Sequence, residues 1–437
     1  MMAKIPNPGP SLSLSPWSDG TYRSRPQPAV GLHSFVVNPP QFVGGFLLDP
    51  TGDSTVPAGL QYGLTSAMCV GEPGRIFASG QDSGEGGLSR FAEFEIPAIV
   101  AGTNMSARNV GARVQGYRNI DADFGLGSYA TEENTQTIGG MYYDPSTGRL
   151  HVGAYKYYDG YYNGQFNHHI YEDASDLAGT RTGPLLVSAS EDGASNRSAG
   201  FWGGQIIPLP SKWHTAFGGT HLIQNGRRVA VASRASIGPD AGSITPSTIG
   251  SGGGISKTLM RYTLANPLAA WEDSSSGSLV YLTNPLWNHL SNCAFAFVIP
   301  GTDTLCYVGH NLDKRLDSRG SNTIMYKGLN SVGSYADNDY APYWADGHVG
   351  YYWLFDLNDL ALTATDPVAH PFYSHAPYEH GYLDVPVMAG NWRRNVWGGC
   401  FNHHTNQMIV AVTRGAEPRY TNAVCSFEVF DLPGVNS

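Results

Sequence analysis

The strongest constraint on the fold is a unit that recurs along the chain: a start rich in small residues, an apolar strand, a tight turn and a second apolar strand. Each turn contains Gly or Asn, which tolerate the positive φ angles that tight β-turns require. The unit occurs in Leu64–Ser79, Gly139–Tyr155, Gly218–Ser233, Cys293–His310 and Gly398–Thr413. A chain built from such hairpins is predicted to be all-β.

Another strand-like segment follows each hairpin, and no helical pattern interrupts the series. Repeated antiparallel units of four strands indicate a β-propeller, which leaves only short, protected sheet edges. The hairpins lie about 70 to 105 residues apart, against about 40 to 50 in compact repeats, so degenerate extra blades are expected between them. The sequence therefore predicts six to eight blades, with seven as the best estimate. Val43–Leu48 is predicted to complete the last blade and close the ring.

No linker or shift in composition divides the chain. We predict a single propeller domain over residues 41–437, preceded by a Pro-rich arm over residues 1–40. Prolines at eight positions prevent the arm from forming interior strands, so it needs an outside surface to become ordered. We expect the arm to contact neighbouring protein subunits of an assembly.

The charge of the chain argues against a nucleic-acid partner. Its formal net charge is −10, and no run of Lys and Arg could follow a phosphate backbone. No apolar stretch approaches the roughly 18 residues of a membrane-spanning helix, so no membrane insertion is expected. Prolines interrupt the N-terminus where a signal peptide would have its apolar run. With no recognisable signal peptide, the expected location is a virion or the cell exterior.

The cysteines each lie in an apolar segment and are predicted to be buried strand thiols. Their odd number and the lack of CxxC spacing give no zinc, redox or disulfide signature. A single bridge between Cys293 and Cys306 remains open, if the two lie on neighbouring strands.

A resemblance to known proteins is carried by Ile207–Trp213 with Phe217–Gly219, by Ser233–Pro239 and by Trp353–Leu360. Over about residues 60–432 the chain resembles an uncharacterised group of bacterial and phage-associated β-propeller proteins. The resemblance implies the propeller fold and brings no established activity. In architecture alone the expected fold is similar to ulvan-lyase-type propellers, which use His, Tyr and Arg to eliminate uronate glycosides.

Loop lengths indicate which end of the propeller carries a site. In each blade the first strand leaves one rim of the propeller and the second strand returns to it. The segments that follow the second strands are long, whereas the turns between first and second strands are short. Binding residues are expected on long loops held by a rigid scaffold. We call this end the long-loop rim and the opposite end the short-turn rim.

One segment of the long-loop rim is rich in tyrosine, whose flat apolar face and polar edge suit a sugar ring or a protein partner. The predicted ligand-binding residues are Tyr155, Tyr157, Tyr158, Tyr161, Tyr162, Asn163 and Arg414. The alternative is that alternate tyrosines pack between blades.

A catalytic set can also be placed on this rim. Arg234 and His310 end two second strands at equivalent positions and are expected to converge on the axis. Arg234 would neutralise a uronate carboxylate, while His310 or a Tyr abstracts the C5 proton and another Tyr protonates the leaving oxygen. Tyr157 is the tyrosine of this catalytic set. His168 completes the set. Its neighbour His169 should point to the opposite face of the strand, so the two cannot easily share a metal.

Acidic residues on the same rim suit either a Ca²⁺ site or a hydrolytic carboxylate pair. They are Asp82, Asp159, Asp240, Asp313 and Asp317. No Asp-x-Asp-x-Asp-Gly loop is present, and solvated loop acids are the alternative. No GxSxG, P-loop, HExxH or Rossmann fingerprint appears in a suitable context. No cofactor other than this Ca²⁺ is expected.

Two functions fit the sequence. The first is a non-catalytic propeller of a phage-like virion or tail, structural or receptor-binding, which docks through its arm and presents the long-loop rim to a glycan or cell-surface ligand. The alternative is a secreted polysaccharide-active enzyme, most plausibly a uronate lyase of the ulvan-lyase type.

Overall fold

A computed structural model describes residues 31–53, 67–80, 89–126, 136–156, 165–190, 198–225, 237–251, 253–263, 266–269, 286–288, 291–312, 325–326, 343–344, 348–386, 396–413 and 425–435. The strands are β1 (Gln41–Leu48), β2 (Met68–Val70), β3 (Arg75–Gly80), β4 (Arg90–Glu95), β5 (Val110–Gly111), β6 (Arg113–Asn119), β7 (Gln136–Asp144), β8 (Arg149–Lys156), β9 (His168–Tyr171), β10 (Arg181–Leu185), β11 (Ile206–Pro208), β12 (His221–Ile223), β13 (Ala241–Ile244), β14 (Lys257–Met260), β15 (Asn292–Val298), β16 (Thr304–Leu312), β17 (Met325–Tyr326), β18 (Tyr343–Trp344), β19 (His348–Asp356), β20 (Glu379–Tyr382), β21 (Val396–Asn402), β22 (Gln407–Thr413) and β23 (Cys425–Asp431). The helices are α1 (Ile120–Asp123), α2 (Ser198–Phe201), α3 (His214–Phe217) and α4 (Leu357–Thr365).

These strands form a five-bladed propeller of four-stranded antiparallel blades. Blade I is β2-β3-β4-β6, blade II is β7-β8-β9-β10, blade III is β11-β12-β13-β14, blade IV is β15-β16-β19-β20, and blade V is β21-β22-β23-β1. The first strands contact one another in the cycle β2, β7, β11, β15, β21 and back to β2. The ring is therefore closed by five blades.

The prediction of seven blades was wrong. The hairpins lie far apart because connections within blades are long, not because further blades lie between them. The segment from β16 to β19 shows this, since it contains a separate two-stranded sheet of β17 and β18.

Four of the predicted hairpins are confirmed, and the third is corrected. The segment that begins at Gly218 was expected to supply the first strand of a hairpin, but β12 is the second strand of blade III and pairs with β11. The first strand escaped notice because β11 has only three residues and ends in Pro208. The predicted partner strand falls in residues 226–236, outside the described residues.

The core lies between neighbouring blades, in five apolar clusters that each join one pair of blades. Side chains of one strand alternate between two clusters, as the pleat requires. Trp353 of β19 enters the cluster between blades III and IV, and Leu354 enters the cluster between blades IV and V. Both faces of each blade are thus buried, which explains the high apolar content of the strands.

The N-terminal strand completes blade V, as predicted. Phe46 of β1 lies opposite Phe427 of β23, and the two rings stack with centroids 5.3 Å apart. The short strand β5 then pairs in parallel with the outer side of β1. The last blade therefore combines strands from the two ends of the described chain.

Residues Gly31–Asn38, which we call the strap, lie against blade IV. The backbone N–H of His33 donates to Thr304 Oγ1 at 2.8 Å, and the ring of Phe35 is buried with 3% of its surface exposed. Glu379 accepts hydrogen bonds from the Ser34 hydroxyl at 2.5 Å and from the Val36 N–H at 3.0 Å. The end of the predicted arm thus packs on the propeller, whereas residues 1–30 lie outside the described residues and their role stays a prediction.

The cysteines are buried thiols that form no disulfide, as predicted from their apolar surroundings. The bridge that the sequence left open does not form. Cys293 lies opposite Gly309 and Cys306 lies opposite Phe297, so the two cysteines are not cross-strand neighbours.

Helices are short, and the longest in the described part of the chain is α4, which packs against α3 and β14 at the short-turn rim. Asp356 caps its N-terminus by accepting a hydrogen bond from the Asn358 N–H at 2.8 Å. Among the described residues, no helix combines the length and apolar character needed to cross a membrane.

Candidate functional site

First strands begin and second strands end at the long-loop rim in every blade. The loops beyond the second strands lie largely outside the described residues, together with seven predicted site residues: Tyr157, Tyr158, Tyr161, Tyr162, Asn163, Arg234 and Arg414. Of the predicted set, Tyr155, His168 and His310 are described. The strand ends beneath the loops therefore define the candidate site.

Three blades share a β-bulge where the first strand leaves this rim. The register shifts between Ile138 and Gly140 in blade II, between Cys293 and Phe295 in blade IV, and between Val396 and Gly398 in blade V. Bulges bend a strand and re-aim side chains, and they are frequent beside functional sites. Among the extra residues Gly139, Ala294 and Trp397, only Trp397 carries a large side chain.

His310 lies two residues before the end of the second strand of blade IV, Thr304–Leu312, and is buried, with 7% of its surface exposed. Its Nδ1 lies 2.9 Å from the carbonyl oxygen of Val396 in blade V. Because a carbonyl oxygen can only accept, Nδ1 carries the hydrogen, and Nε2 is the acceptor atom of the neutral ring. The structure thus fixes the tautomer that a proton-accepting imidazole needs.

The indole of Trp397 lies beside this imidazole. The ring centroids are 5.9 Å apart, with 51° between the ring planes. Trp397 is partly exposed, whereas Val396 and Gly398 on either side are buried. The two rings therefore meet at an angle where blades IV and V join.

A hydrogen-bonded group of neutral side chains lies on the other side of blade IV. Asn311 Oδ1 accepts from Asn288 Nδ2 at 2.5 Å and from the Ser291 hydroxyl at 2.9 Å. The backbone N–H of Asn288 in turn donates to Ser291 Oγ at 2.8 Å. All three residues are buried, so the group is held in one arrangement.

Two glutamines of blade III are buried at the ends of its first two strands, Gln205 before β11 and Gln224 after β12. Gln205 Oε1 accepts a hydrogen bond from the Ala296 N–H of blade IV at 3.0 Å. Gln224 is completely buried, and neither polar atom of its side chain has a hydrogen-bond partner among the residues that the structure describes. An unpaired buried amide costs about 1–3 kcal/mol, so such a group needs an explanation. A bound water or ligand group would supply one.

Blades II and III approach each other closely at the same level. Gly139 forms a bridge with Gly204, and a Cβ atom on Gly140 would lie 2.0 Å from the backbone nitrogen of Gln205. Only glycine permits this approach. Tyr155 packs beside these glycines with 2% of its surface exposed, which fits the alternative in which tyrosines pack between blades.

His168 lies completely buried between strands of blade II and neighbouring blade III. Its Nε2 is 3.0 Å from His151 Nδ1, and burial lowers the pKa of His168 well below its usual range. His169 points to the other face, where Nε2 contacts Gln136 Oε1 at 2.9 Å, and burial lowers its pKa to about 3. As expected from strand geometry, the two adjacent imidazoles do not share a site.

Four of the aspartates that were predicted as candidate Ca²⁺ ligands lie outside the described residues: Asp82, Asp159, Asp313 and Asp317. Asp240 is completely buried, and its backbone carbonyl accepts a hydrogen bond from the Tyr307 hydroxyl. Among the described ranges, no group of three or more His, Cys, Asp or Glu side chains is arranged to hold a metal ion. Calcium binding therefore stays a prediction.

The sequence interpretation missed most residues of the site, and Gln224 and Trp397 show why. Gln224 was placed in a tight turn, because the hairpin of blade III was assigned one strand too late. Trp397 received no role, although a large aromatic residue directly before Gly398 and Gly399, at the start of a repeated hairpin, is the signal that could have identified it.

Comparison with known proteins assigns no family. No family model matches the chain, and no curated protein matches it. Among solved structures, the chain is similar to a luciferin-regenerating enzyme at 9% identity, over 86% of this chain and 94% of that chain, with a TM-score of 0.33.

Two further similar structures are described as acting on glycosides. One is the catalytic domain of a Coprinopsis cinerea GH62 α-L-arabinofuranosidase, at 12% identity over 89% of this chain and 97% of that chain, with a TM-score of 0.39. The other belongs to the GH130 family of mannoside phosphorylases, which contains glycoside hydrolases that target β-1,2 mannosidic linkages in Candida mannan. It is 10% identical over 93% of this chain and 97% of that chain, with a TM-score of 0.44.

These similarities are too low to support an inference about activity. The propeller architecture that the sequence resemblance implied is shown by the blades themselves, and the phage association stays a prediction.

Proposed function

We propose that this protein binds a glycan on the long-loop rim of its five-bladed propeller. The observation that carries the proposal is a concentration of neutral polar side chains at the long-loop rim, around blade IV. They belong to Gln205, Gln224, Asn288, Ser291, Asn292, His310 and Asn311. The partly exposed Trp397 lies beside them. Amides and hydroxyls both donate and accept hydrogen bonds, as sugar hydroxyls do. An aromatic face adds an apolar surface for a sugar ring.

Several of these side chains are already fixed by the protein. Asn311 is held by Asn288 and Ser291, and Gln205 is held by the backbone of Ala296. Polar groups that are held in place before a ligand arrives lose less entropy on binding. The arrangement is therefore suited to recognition.

A second candidate is a glycan-active enzyme, and the fixed tautomer of His310 favours it. Nε2 is the atom that would accept a proton, as a general base requires. In the uronate-lyase form of this proposal, Arg234 neutralises the substrate carboxylate and Tyr157 protonates the leaving oxygen. Both residues lie outside the described part of the chain, and these roles stay predictions. His168 has no part in the proposal because its Nε2 contacts His151 Nδ1 at 3.0 Å inside blade II.

Binding is tested by electrophoresis of the native protein in gels that contain a neutral polysaccharide (mannan or xyloglucan) or an acidic one (polygalacturonate, alginate or ulvan). We expect retardation in at least one gel. His310→Gln should weaken binding by up to about tenfold, the effect of losing one hydrogen bond of about 1 kcal/mol. A wild-type protein that is retarded in none of the gels contradicts the proposal.

Catalysis is tested with the same polymers in solution. A lyase releases an unsaturated product that absorbs in the ultraviolet, and His310→Gln should slow its formation by about 10²-fold or more. Retardation without product supports the binding protein. Product formation that depends on His310 supports the enzyme.

A further inference from the structure

Trp397 is held at the rim by the packing of its own strand. The bulge in β21 leaves Trp397 as the extra residue, since Val396 lies opposite Val412 and Gly398 lies opposite Ala411. Two residues later, a Cβ atom on Gly399 would lie 2.1 Å from Cε1 of Phe295 in blade IV. Blades IV and V therefore meet closely at Gly399, two residues after the bulged Trp397.

The indole and the imidazole of His310 enclose an angle rather than stacking. Their centroids are 5.9 Å apart and their planes differ by 51°. A sugar ring in van der Waals contact with the indole, at roughly 4 Å, would bring hydroxyl groups beside the imidazole. The indole offers an apolar surface, and the imidazole offers a polar edge. A pyranose has an apolar C–H face and hydroxyl groups around its edge, so the two side chains match its two kinds of surface.

We propose that Trp397 and His310 form a subsite for a single pyranose ring of a polysaccharide. The indole stacks on the C–H face of the ring, and the imidazole, oriented by the Val396 carbonyl, hydrogen-bonds a ring hydroxyl. This inference rests on the proposed function and adds the position and the ring chemistry of the ligand. It assigns the main apolar contact to Trp397, a residue to which the sequence gave no role.

The test measures the affinity of Trp397→Ala for the polysaccharide that retards the wild-type protein, by the dependence of mobility on polymer concentration. We expect affinity to fall by about tenfold or more, because a central aromatic contact is lost. Trp397→Phe should retain most of the affinity, whereas Trp397→Leu, which keeps an apolar side chain without an aromatic face, should not. The phenylalanine and leucine variants keep the test informative if the alanine variant does not fold.

Trp213→Ala is the matched control. Trp213 is also partly exposed and stacks on an aromatic ring, that of Phe217 with centroids 5.5 Å apart, but it lies at the short-turn rim. Its replacement should leave affinity unchanged. Unchanged affinity of Trp397→Leu would overturn the subsite while glycan binding stands. Equal losses from Trp213→Ala and Trp397→Ala would also overturn it, and absence of wild-type binding to every polymer overturns both proposals.

Discussion

Arg108 and Glu428 form an ion pair in which neither side chain has any exposed surface. Arg108 Nη2 lies 2.8 Å from Glu428 Oε2, and the same Nη2 donates to the Gly102 carbonyl at 3.0 Å. Ser426 donates a further hydrogen bond to Glu428. Arg108 lies in the loop before β5, and Glu428 lies on β23, the strand with which β1 pairs. The ion pair therefore lies where the two ends of the described chain meet.

We predict that Glu428→Gln lowers the free energy of unfolding by about 3–5 kcal/mol, because the change removes the buried countercharge of Arg108. Urea denaturation followed by fluorescence measures the loss. Glu95→Gln is the control, since its pair with Arg75 spans 3.4 Å with both side chains substantially exposed, and should cost less than about 1 kcal/mol. Equal effects of the two changes would contradict the prediction.

Acid should destabilise the protein through its buried imidazoles. Burial lowers the pKa of His151 and of His221 to about 4 and that of His169 to about 3, and it holds the pKa of His168 well below its usual range. The unfolded chain binds protons below about pH 6.5, whereas the folded protein does not. The free energy of unfolding should therefore fall as the pH drops from about 6.5 toward 4, by up to about 1.4 kcal/mol per pH unit for each histidine.

The slope is measured by urea denaturation between pH 7 and 4.5. His169→Gln removes one titrating group and can still hydrogen-bond Gln136, so its stability should fall less steeply than that of the wild type. The carboxyl of Asp144 has a lowered pKa and loses its contribution only at more acidic pH. An unchanged slope in His169→Gln would show that this histidine does not contribute to the acid sensitivity.

Truncation should separate the strap from the rest of the predicted arm. Deleting residues 1–30 leaves the strap contacts in place, and we expect the melting temperature to stay nearly unchanged. Deleting residues 1–40 removes the buried ring of Phe35, whose edge-to-face contact with Tyr352 has centroids 4.9 Å apart. That deletion, and Phe35→Ala alone, should lower stability by about 3 kcal/mol or more.

The same shorter deletion tests the assembly hypothesis. If residues 1–30 contact neighbouring subunits of a virion or tail, their loss should abolish incorporation into particles without loss of folding. Normal incorporation of the shorter truncation would contradict that role.

Gln224→Met should stabilise the protein, because methionine fills a similar volume without a polar group that needs a partner. The expected gain is about 1–3 kcal/mol, the cost of an unpaired buried amide. Differential scanning calorimetry measures it, and Gln205→Met is the control. Gln205 accepts a hydrogen bond from the Ala296 N–H, so its replacement should destabilise. A loss of stability in Gln224→Met would show that its amide is satisfied in solution.

The strand pattern was largely readable from the sequence, because tight turns such as Asp144–Gly148 require specific residues and buried strands require apolar ones. Ring closure by Val43–Leu48 was readable for the same reason. The number of blades was not, because chain length between hairpins does not distinguish a blade from a long connection. The first strand of blade III was hidden by its three-residue length.

The candidate site was less predictable. His310 was identified because it ends a repeated strand, and the structure gives it a fixed orientation. The burial of His168 depends on the approach of a neighbouring blade, which no local pattern reports. The position of Trp397 depends on a bulge, and a bulge is set by how two strands pair rather than by the residues of one.

The pairing of β1 with β23 has a consequence for biosynthesis. Phe46 leaves the ribosome before blades I to IV, whereas its partner Phe427 emerges only after those four blades have been made. Contacts between residues so distant in sequence carry a large entropic cost of loop closure and form slowly. During translation the strand Gln41–Leu48 must therefore wait with an unpaired edge, which is an aggregation hazard. The ring can close only after β23 has left the ribosome, and conditions that slow translation or crowd nascent chains should lower the yield of folded protein.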